Sequence, residues 1–253
     1  MAGRTISIII PVYRLEKYIK TTLDCVRAQT DQDWELILVD DCGGDGSAEV
    51  IERYVEETGD SRIRLLRLPE NQGPAEARNR GVENSTGRFI AFLDGDDIWR
   101  PEKLAHQRAF QERTGAAFVF TGYEFADETG AGLGKVVRVP EKLTYKEALK
   151  NTTIFTSTVM FDTEQIPREK IRMPRMKSED TALWWRLLRE GAVARGLDEN
   201  LVLYRRPPKS LSSNKLEAVR RIWNLYRKAE HLSVLRSAYY FCFWAFRAVR
   251  RRL

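Results

Sequence analysis

Phe89-Ile90-Ala91-Phe92-Leu93-Asp94-Gly95-Asp96-Asp97-Ile98-Trp99-Arg100-Pro101 is an apolar run that passes into three carboxylates and then meets a proline. A short unbroken apolar segment of this kind reads as a strand buried on both faces. In an open α/β sheet the ligand crevice lies outside the carboxyl ends of the strands. Acids gathered at such an end, with a glycine between two of them, point to a hard divalent cation and a phosphate-bearing ligand. Asp and Gly are also ordinary turn residues, so the flanking sequence must decide between a site and an acidic turn.

Upstream, residues 5–13 read as a buried strand rich in β-branched residues and closed by Pro11-Val12-Tyr13. Residues 15–28 carry Tyr18, Ile19, Thr22, Leu23 and Val26 at helical spacing. Residues 34–40 form a second apolar strand, which also runs into acids, Asp40 and Asp41, before Cys42-Gly43-Gly44-Asp45-Gly46-Ser47. A helix over 48–57, a strand over 63–68, the turn Pro69-Glu70-Asn71-Gln72-Gly73-Pro74 and a helix over 75–84 lead back to the opening strand. This alternation predicts an α/β fold with a Rossmann-like, mainly parallel, doubly wound sheet flanked by helices. Two strand ends with acids on one rim favour a site over an accidental turn.

Downstream, the pattern predicts a helix over 102–115, a strand over 116–125, a glycine-rich hairpin over 127–134, a strand over 135–139, a helix over 144–150 and a β-branched strand over 152–162. Residues 178–191 read as a helix capped by Ser178, with Glu179 and Asp180 in its first turn and Gly191 past its end. Trp184 falls on the apolar face of that helix, and Trp185 is offset from it, in a position to stack on a sugar.

The chain has 253 residues, 43% of them hydrophobic and 31% charged, with a formal net charge of +6. That is ample for a sizeable core. The excess charge collects late: after Arg205 the only acids are Glu217 and Glu230, and such a tail seeks an anionic surface. Cys25, Cys42 and Cys242 lack zinc-type or disulfide-scaffold spacing, which fits a reducing compartment. No signal peptide is expected from the first residues. His106 and His231 read as structural.

The ordered set Ser7-Ile8-Ile9-Ile10-Pro11-Val12-Tyr13, Leu38-Val39-Asp40-Asp41, Asn71-Gln72-Gly73-Pro74-Ala75-Glu76-Ala77-Arg78-Asn79, Phe92-Leu93-Asp94-Gly95-Asp96-Asp97 and Glu179-Asp180 resembles the family 2 inverting glycosyltransferases of the GT-A fold. The resemblance covers roughly residues 5 to 210. It implies that Pro11, Tyr13 and Asp41 hold the base of a nucleotide, that Asp94 lies near the ribose, and that Gly73, Arg78 and Asn79 build the floor beneath the nucleotide. It further implies that Asp96 binds a divalent metal, Mn²⁺ or Mg²⁺, bridging the donor diphosphate, and that Asp180 is the catalytic base; Asp97 is expected to support the turn. Departures from the family pattern are Arg14 after Pro11-Val12-Tyr13, and Cys42-Gly43-Gly44-Asp45 in the loop after the second strand. Tyr204-Arg205-Arg206-Pro207-Pro208-Lys209-Ser210-Leu211-Ser212 resembles the family's loop after the base, which would bring Arg205, Arg206 or Lys209 to the diphosphate.

The expected organisation is a nucleotide-sugar-binding half over 1–101, an acceptor-binding half over 102–215 and a basic, aromatic, amphipathic tail over 216–253. The expected activity is metal-dependent inverting transfer from a nucleotide-diphosphate sugar, a UDP-sugar, to a hydroxyl of a saccharide acceptor, lipid-linked, in cell-surface polysaccharide synthesis. The alternative is a nucleotide-sugar-binding module without turnover. In the tail, the nine residues Ala238 to Phe246 are too few to span a bilayer, which takes about 20. Two readings of this segment stand: a helix lying on the cytoplasmic face of the membrane, or one packed on the core or a second subunit. A nucleic-acid partner is not expected, given the aromatic clustering.

Overall fold

The computed structural model describes residues 5–151, 154–206 and 215–250. Its first half is the predicted parallel unit. Strands β1 (Ile6–Val12), β2 (Trp34–Asp40), β3 (Ile63–Arg67) and β4 (Phe89–Phe92) lie in the order β3-β2-β1-β4, every neighbouring pair parallel. The crossovers are α1 (Ile19–Arg27), α2 (Ser47–Thr58) and α3 (Pro74–Glu83). Ile6, Ile8, Ile9 and Ile10 of β1 have no exposed surface, as a central strand covered on both faces requires.

Beyond β4 the sheet becomes mixed. It continues through β9 (Met160–Asp162), β6 (Phe118–Ala126), β10 (Ala194–Arg205) and β5 (Ile98–Trp99), with β7 (Gly132–Val137) beside β6 and β8 (Lys142–Leu143) beside β10. Strand β9 is antiparallel to both β4 and β6, and so joins the two halves into one sheet. The strand expected over 152–162 is shorter than its β-branched run implied. Residues 152 and 153 lie outside the described residues, Thr156–Thr158 form a 3-10 turn, and only Met160–Asp162 pair in the sheet. The turn buries the side chains of Thr156, Ser157 and Thr158, and two of these hydroxyls serve the site described below.

Helix α4 (Lys103–Thr114) follows β5, α5 (Tyr145–Lys150) follows β8, and α6 (Glu179–Arg189) precedes β10. Apolar layers fill both sides of the sheet, with α1 and α4 on one side and α5 and α6 on the other. Trp184 packs against Phe118 and Phe161, at ring-centroid distances of 6.3 and 5.6 Å. Trp185 is also core: it is 1% exposed and stacks on Tyr226 at 5.2 Å with an 11° interplanar angle. It therefore cannot meet a sugar, contrary to the expectation from its offset. Helix α6 is buried on two faces, and the second is covered by a ring forty-one residues later in the chain.

After residues 207–214, which lie outside the described set, come α7 (Lys215–Asn224), a π-helical turn (Leu225–Ala229) and α8 (Val234–Arg250). Ile222, Leu225 and Tyr226 belong to the core, and the Tyr226 hydroxyl donates to the Leu149 carbonyl at 2.6 Å. Glu230, buried, accepts from Arg189 Nη1 and the Tyr145 hydroxyl, both at 2.5 Å, pinning the junction of the last two helices to α5 and α6. Helix α8 lays Tyr240, Phe241 and Trp244 against the core. On another face Leu235, Tyr239, Phe243 and Phe246 are 84%, 53%, 38% and 68% exposed. No helix among the described residues is long and apolar enough to cross a membrane.

Lys103, in the first turn of α4, has no exposed surface. Its Nζ donates to Gln107 Oε1 at 2.6 Å and lies 3.7 Å from the centroid of the Trp99 ring. Burial holds its pKa well below the usual 10.5. The unfolded chain therefore binds a proton that the folded chain does not, at pH values between the two pKa values, and in that window stability rises with pH. We expect the unfolding free energy of wild type, relative to Lys103→Met, to increase between pH 7 and pH 9.5 with a slope approaching about 1.4 kcal/mol per pH unit. Urea titrations at the two pH values measure this, and parallel pH dependences would refute it.

Candidate active site

The carboxyl ends of β1, β2 and β4 and the N-terminus of α3 converge on one rim. On one side are Pro11, Tyr13, Asp41 and Gly73. Pro11 pairs with Val39 across β1 and β2, and Tyr13, just past β1, is 44% exposed. Arg14, with φ +56, places its guanidinium 5.2 Å from the Tyr13 ring centroid and donates to the Gly43 carbonyl at 3.2 Å. Asp41 is buried and clamps the next loop: its carboxylate oxygens accept the Gln72 and Gly73 amides at 2.7 and 2.8 Å, and its carbonyl accepts Asn71 Nδ2 at 3.0 Å. Gly73 has φ +86, which favours glycine, and starts α3 with Pro74 in its first turn.

On the other side the acids of the opening motif separate by environment. Asp97 is fully buried; its carboxylate accepts Ser157 Oγ at 2.5 Å and the Arg205 amide at 3.1 Å. Burial, then the charges of Asp96 and Asp94, raise its pKa well above the ordinary value. Ser157 Oγ also accepts the Asp94 amide at 3.0 Å, and Thr22 Oγ1 donates to the Gly95 carbonyl at 2.8 Å. The turn is thus fastened from α1, from the 3-10 turn and from the end of β10. Asp94 accepts Arg78 Nη2 at 2.5 Å.

Asp96 receives no hydrogen bond from another side chain among the described residues. Burial and the neighbouring Asp94 charge push its pKa up to about 6. A carboxylate held near a second one, with no side-chain donor of its own, is a donor set that suits a hard divalent cation. Asp96, aided by Asp94, fits that role. The described residues contain no cluster of three or more His, Cys, Asp or Glu side chains arranged around a metal position, so a cation here would draw its other oxygens from water or a phosphate ligand.

Arg78, buried in α3, bridges the halves: its other terminal nitrogen, Nη1, donates to Glu179 Oε1 at 3.0 Å. Burial raises the Glu179 pKa in spite of the pull of Arg78. Asn79 makes a matching pair of bonds to Met173, donating to its carbonyl at 3.0 Å and accepting its amide at 2.7 Å. These contacts set the segment that enters α6. There Asp180 accepts Thr156 Oγ1 at 2.9 Å on one oxygen and the Thr181 amide at 2.5 Å on the other. Ser178 stands at the N-cap position, but with φ +60 its side chain makes no capping bond, contrary to the sequence expectation. Left-handed geometry at a non-glycine residue costs on the order of 1–3 kcal/mol.

Asp180, Asp94 and Arg78 line one cavity of 380 Å³, with Thr156 and Glu179 among the other walls. Arg206 is placed elsewhere: exposed, with its guanidinium 5.3 Å from the Phe125 ring centroid. The cations whose charges bear on Asp96 are Arg205, buried over the Tyr18 ring at 4.8 Å, and Arg78. Lys209 lies outside the described residues. His106 pairs with Glu199 at 2.7 Å on the surface, in keeping with a structural role. Sequence reading missed Thr156, Ser157 and the bridging contact of Glu179. Hydroxyls inside a β-branched run were the available signal for the first two.

The family model of Glycosyl transferase family 2 matches residues 7–164. The chain is 41% identical over 249 residues to TuaG of Bacillus subtilis (strain 168), whose name places it in teichuronic acid biosynthesis; the match covers 98% of this chain and 97% of the relative. It is 34% identical to WfgD of Escherichia coli, named as a UDP-Glc:alpha-D-GlcNAc-diphosphoundecaprenol beta-1,3-glucosyltransferase, over 87% of this chain and 84% of that one. Among solved structures, Staphylococcus aureus TarS 1-349 in complex with UDP-GlcNAc superposes with a TM-score of 0.72 at 20% identity, over 95% of this chain and 71% of that chain. Pyrobaculum calidifontis PcManGT with GDP-Man and Mn²⁺ gives 0.74 at 17% identity, over 95% and 70%. The fold is thus of the GT-A type.

Proposed function

This chain belongs to glycosyl transferase family 2, and from that premise we propose that it transfers a sugar, with inversion, from a UDP-sugar to a hydroxyl of a lipid-linked saccharide during synthesis of a surface polysaccharide. The observation that carries this reading is the single cavity shared by Asp180 and the Asp94–Arg78 pair. It gives the base and the Asp94 end of the acid turn a common space. The name of TuaG supports the polysaccharide setting, that of WfgD a lipid-linked acceptor, and the TarS complex a UDP-sugar donor.

Asp180, fixed by Thr156 and Thr181, takes the proton of the acceptor hydroxyl as that oxygen attacks the anomeric carbon. The new bond forms on the face opposite the leaving group. The bond from the anomeric carbon to the diphosphate oxygen breaks, and its electron pair leaves with the nucleoside diphosphate. Asp96 would hold a divalent cation, Mn²⁺ or Mg²⁺, and such an ion would supply charge neutralisation for that departure. Pro11, Tyr13, Asp41 and Gly73 seat the base on the outer side of the rim. Arg78 keeps Asp94 and Glu179 at fixed positions, so Asp180 stays unpaired with any guanidinium among the described residues and free to act as a base.

The reading is tested by incubating the protein with UDP-sugars and Mn²⁺ and measuring UDP release. Release that rises on adding a lipid-linked saccharide is expected. Tight UDP-sugar binding with no release under any condition would instead mark a binding module without turnover.

The exposed stripe of α8 belongs to the same proposal. Leu235, Tyr239, Phe243 and Phe246 recur at helical spacing, with Lys150 4.8 Å from the Phe243 ring centroid. An aromatic and cationic face of this kind suits an anionic lipid surface. Deleting the helix would strip Tyr240, Phe241 and Trp244 from the core, so the test uses Leu235→Glu with Phe246→Glu. We expect wild type to float with phosphatidylglycerol liposomes and the double variant to stay in the soluble fraction. Equal flotation would refute the contact.

A further inference from the structure

The catalytic cavity has a wall that the transfer chemistry leaves without a task. Helices α7 and α8 and the π-helical turn between them supply it through Ala218, Arg221, Ile222, Leu225 and Trp244. Arg221 is its only charged residue. Its Nε is buried and meets no hydrogen-bond partner among the described residues. A buried guanidinium N–H in that state costs on the order of 1–3 kcal/mol unless a ligand satisfies it. Glu217, one turn earlier and within electrostatic reach, is itself hydrogen-bonded by Lys177.

The base-side residues Tyr13, Asp41 and Gly73 do not line this cavity, and neither does Asp96. Arg221 therefore shares the space of Asp180, where the acceptor hydroxyl must sit for its proton to be taken. We propose that Arg221 is a specificity-determining residue that binds a phosphate on the acceptor, so that the substrate is a saccharide carrying a phosphate or diphosphate at its reducing end. This rests on the transferase reading above. A planar guanidinium gives phosphate paired, charge-assisted hydrogen bonds. Trp244, half-buried in the same wall, offers an aromatic face to the sugar. The exposed stripe of α8 continues along the helix that carries Trp244, and offers a path for a lipid attached to that phosphate.

The test uses two synthetic acceptors with the same sugar and the same alkyl chain, one joined through a diphosphate and one through a neutral ether. Wild type is expected to show a KM at least about tenfold lower for the diphosphate compound. Arg221→Ala should raise that KM about tenfold, bringing it towards the ether compound, and Arg221→Lys should recover part of the difference. Calorimetric binding of UDP-sugar with Mn²⁺ shows that each variant is folded. Equal use of both acceptors by wild type, an Arg221→Ala effect alike on both, or loss of UDP-sugar binding in the variant would each overturn the assignment. If wild type transfers to neither compound, the transferase reading fails; calorimetric binding of the diphosphate compound, compared between wild type and Arg221→Ala, then still decides the role of Arg221.

Discussion

Asp180→Asn is expected to lower sugar transfer by about 10³-fold or more while UDP-sugar binding stays within about twofold of wild type, since a positioned general base contributes up to about 10⁴-fold. The amide is nearly isosteric with the carboxylate. Its oxygen can still accept the Thr181 amide, and the Thr156 hydroxyl can turn to accept from the new NH₂ group, so both contacts of the native side chain have counterparts. What disappears is the capacity to take a proton. Acceptor-dependent UDP release and calorimetry with UDP-sugar separate the two effects. A variant that transfers at the wild-type rate would remove Asp180 from the role of base and leave Glu179, already held by Arg78, as the neighbouring carboxylate to examine.

The second large effect is expected at Asp96. Asp96→Asn should weaken Mn²⁺-dependent UDP binding at least tenfold and lower transfer by about 10²-fold or more, because cation neutralisation of a leaving diphosphate contributes several kcal/mol. Metal-free UDP binding should change little. This pattern differs from that at Asp180, where donor binding survives. The amide also removes a like charge beside Asp94, so the metal-free variant is expected to melt no lower than wild type. Unchanged metal-dependent binding would exclude Asp96 as the ligand. A collapse in melting temperature would place it instead with Asp97, whose carboxylate is built into the turn by Ser157 and the Arg205 amide.

The contrast between adjacent acids shows how far sequence could be read. The strand ends carrying Asp41 and Asp94–Asp97 were legible because buried parallel strands are short, apolar and end on the ligand rim. The α/β alternation over the first hundred residues was legible for the same reason. Strand β10 was not. Its first half, Ala194-Arg195-Gly196-Leu197-Asp198-Glu199-Asn200, lacks apolar alternation, because register shifts between Leu197 and Val202 break the period.

Residues that act through distant partners were equally hidden. The burial of Trp185 depends on Tyr226, and the fixing of Asp97 depends on Ser157 and Arg205. One helix's periodicity identifies one buried face, so it could not register the second face of α6. The tail read as an amphipathic appendage because its charge and aromatic content dominate its composition. Its place in the catalytic wall depends on which face of α7 meets the core, and that is set by packing rather than by local pattern.

The position of β9 has a consequence for the chain as it leaves the ribosome. Strand β4 gains its second neighbour only when Met160–Asp162 arrives, well after β4 itself has been made. At about 5–20 residues per second this takes on the order of several seconds. During that interval an apolar strand ending in the acid turn has an open edge, the kind of surface that invites pairing with other chains. The Arg205 amide that fastens Asp97 emerges later still. The nascent parallel unit is thus a candidate client for chaperones, and slow translation between Pro101 and Met160 would lengthen its exposure.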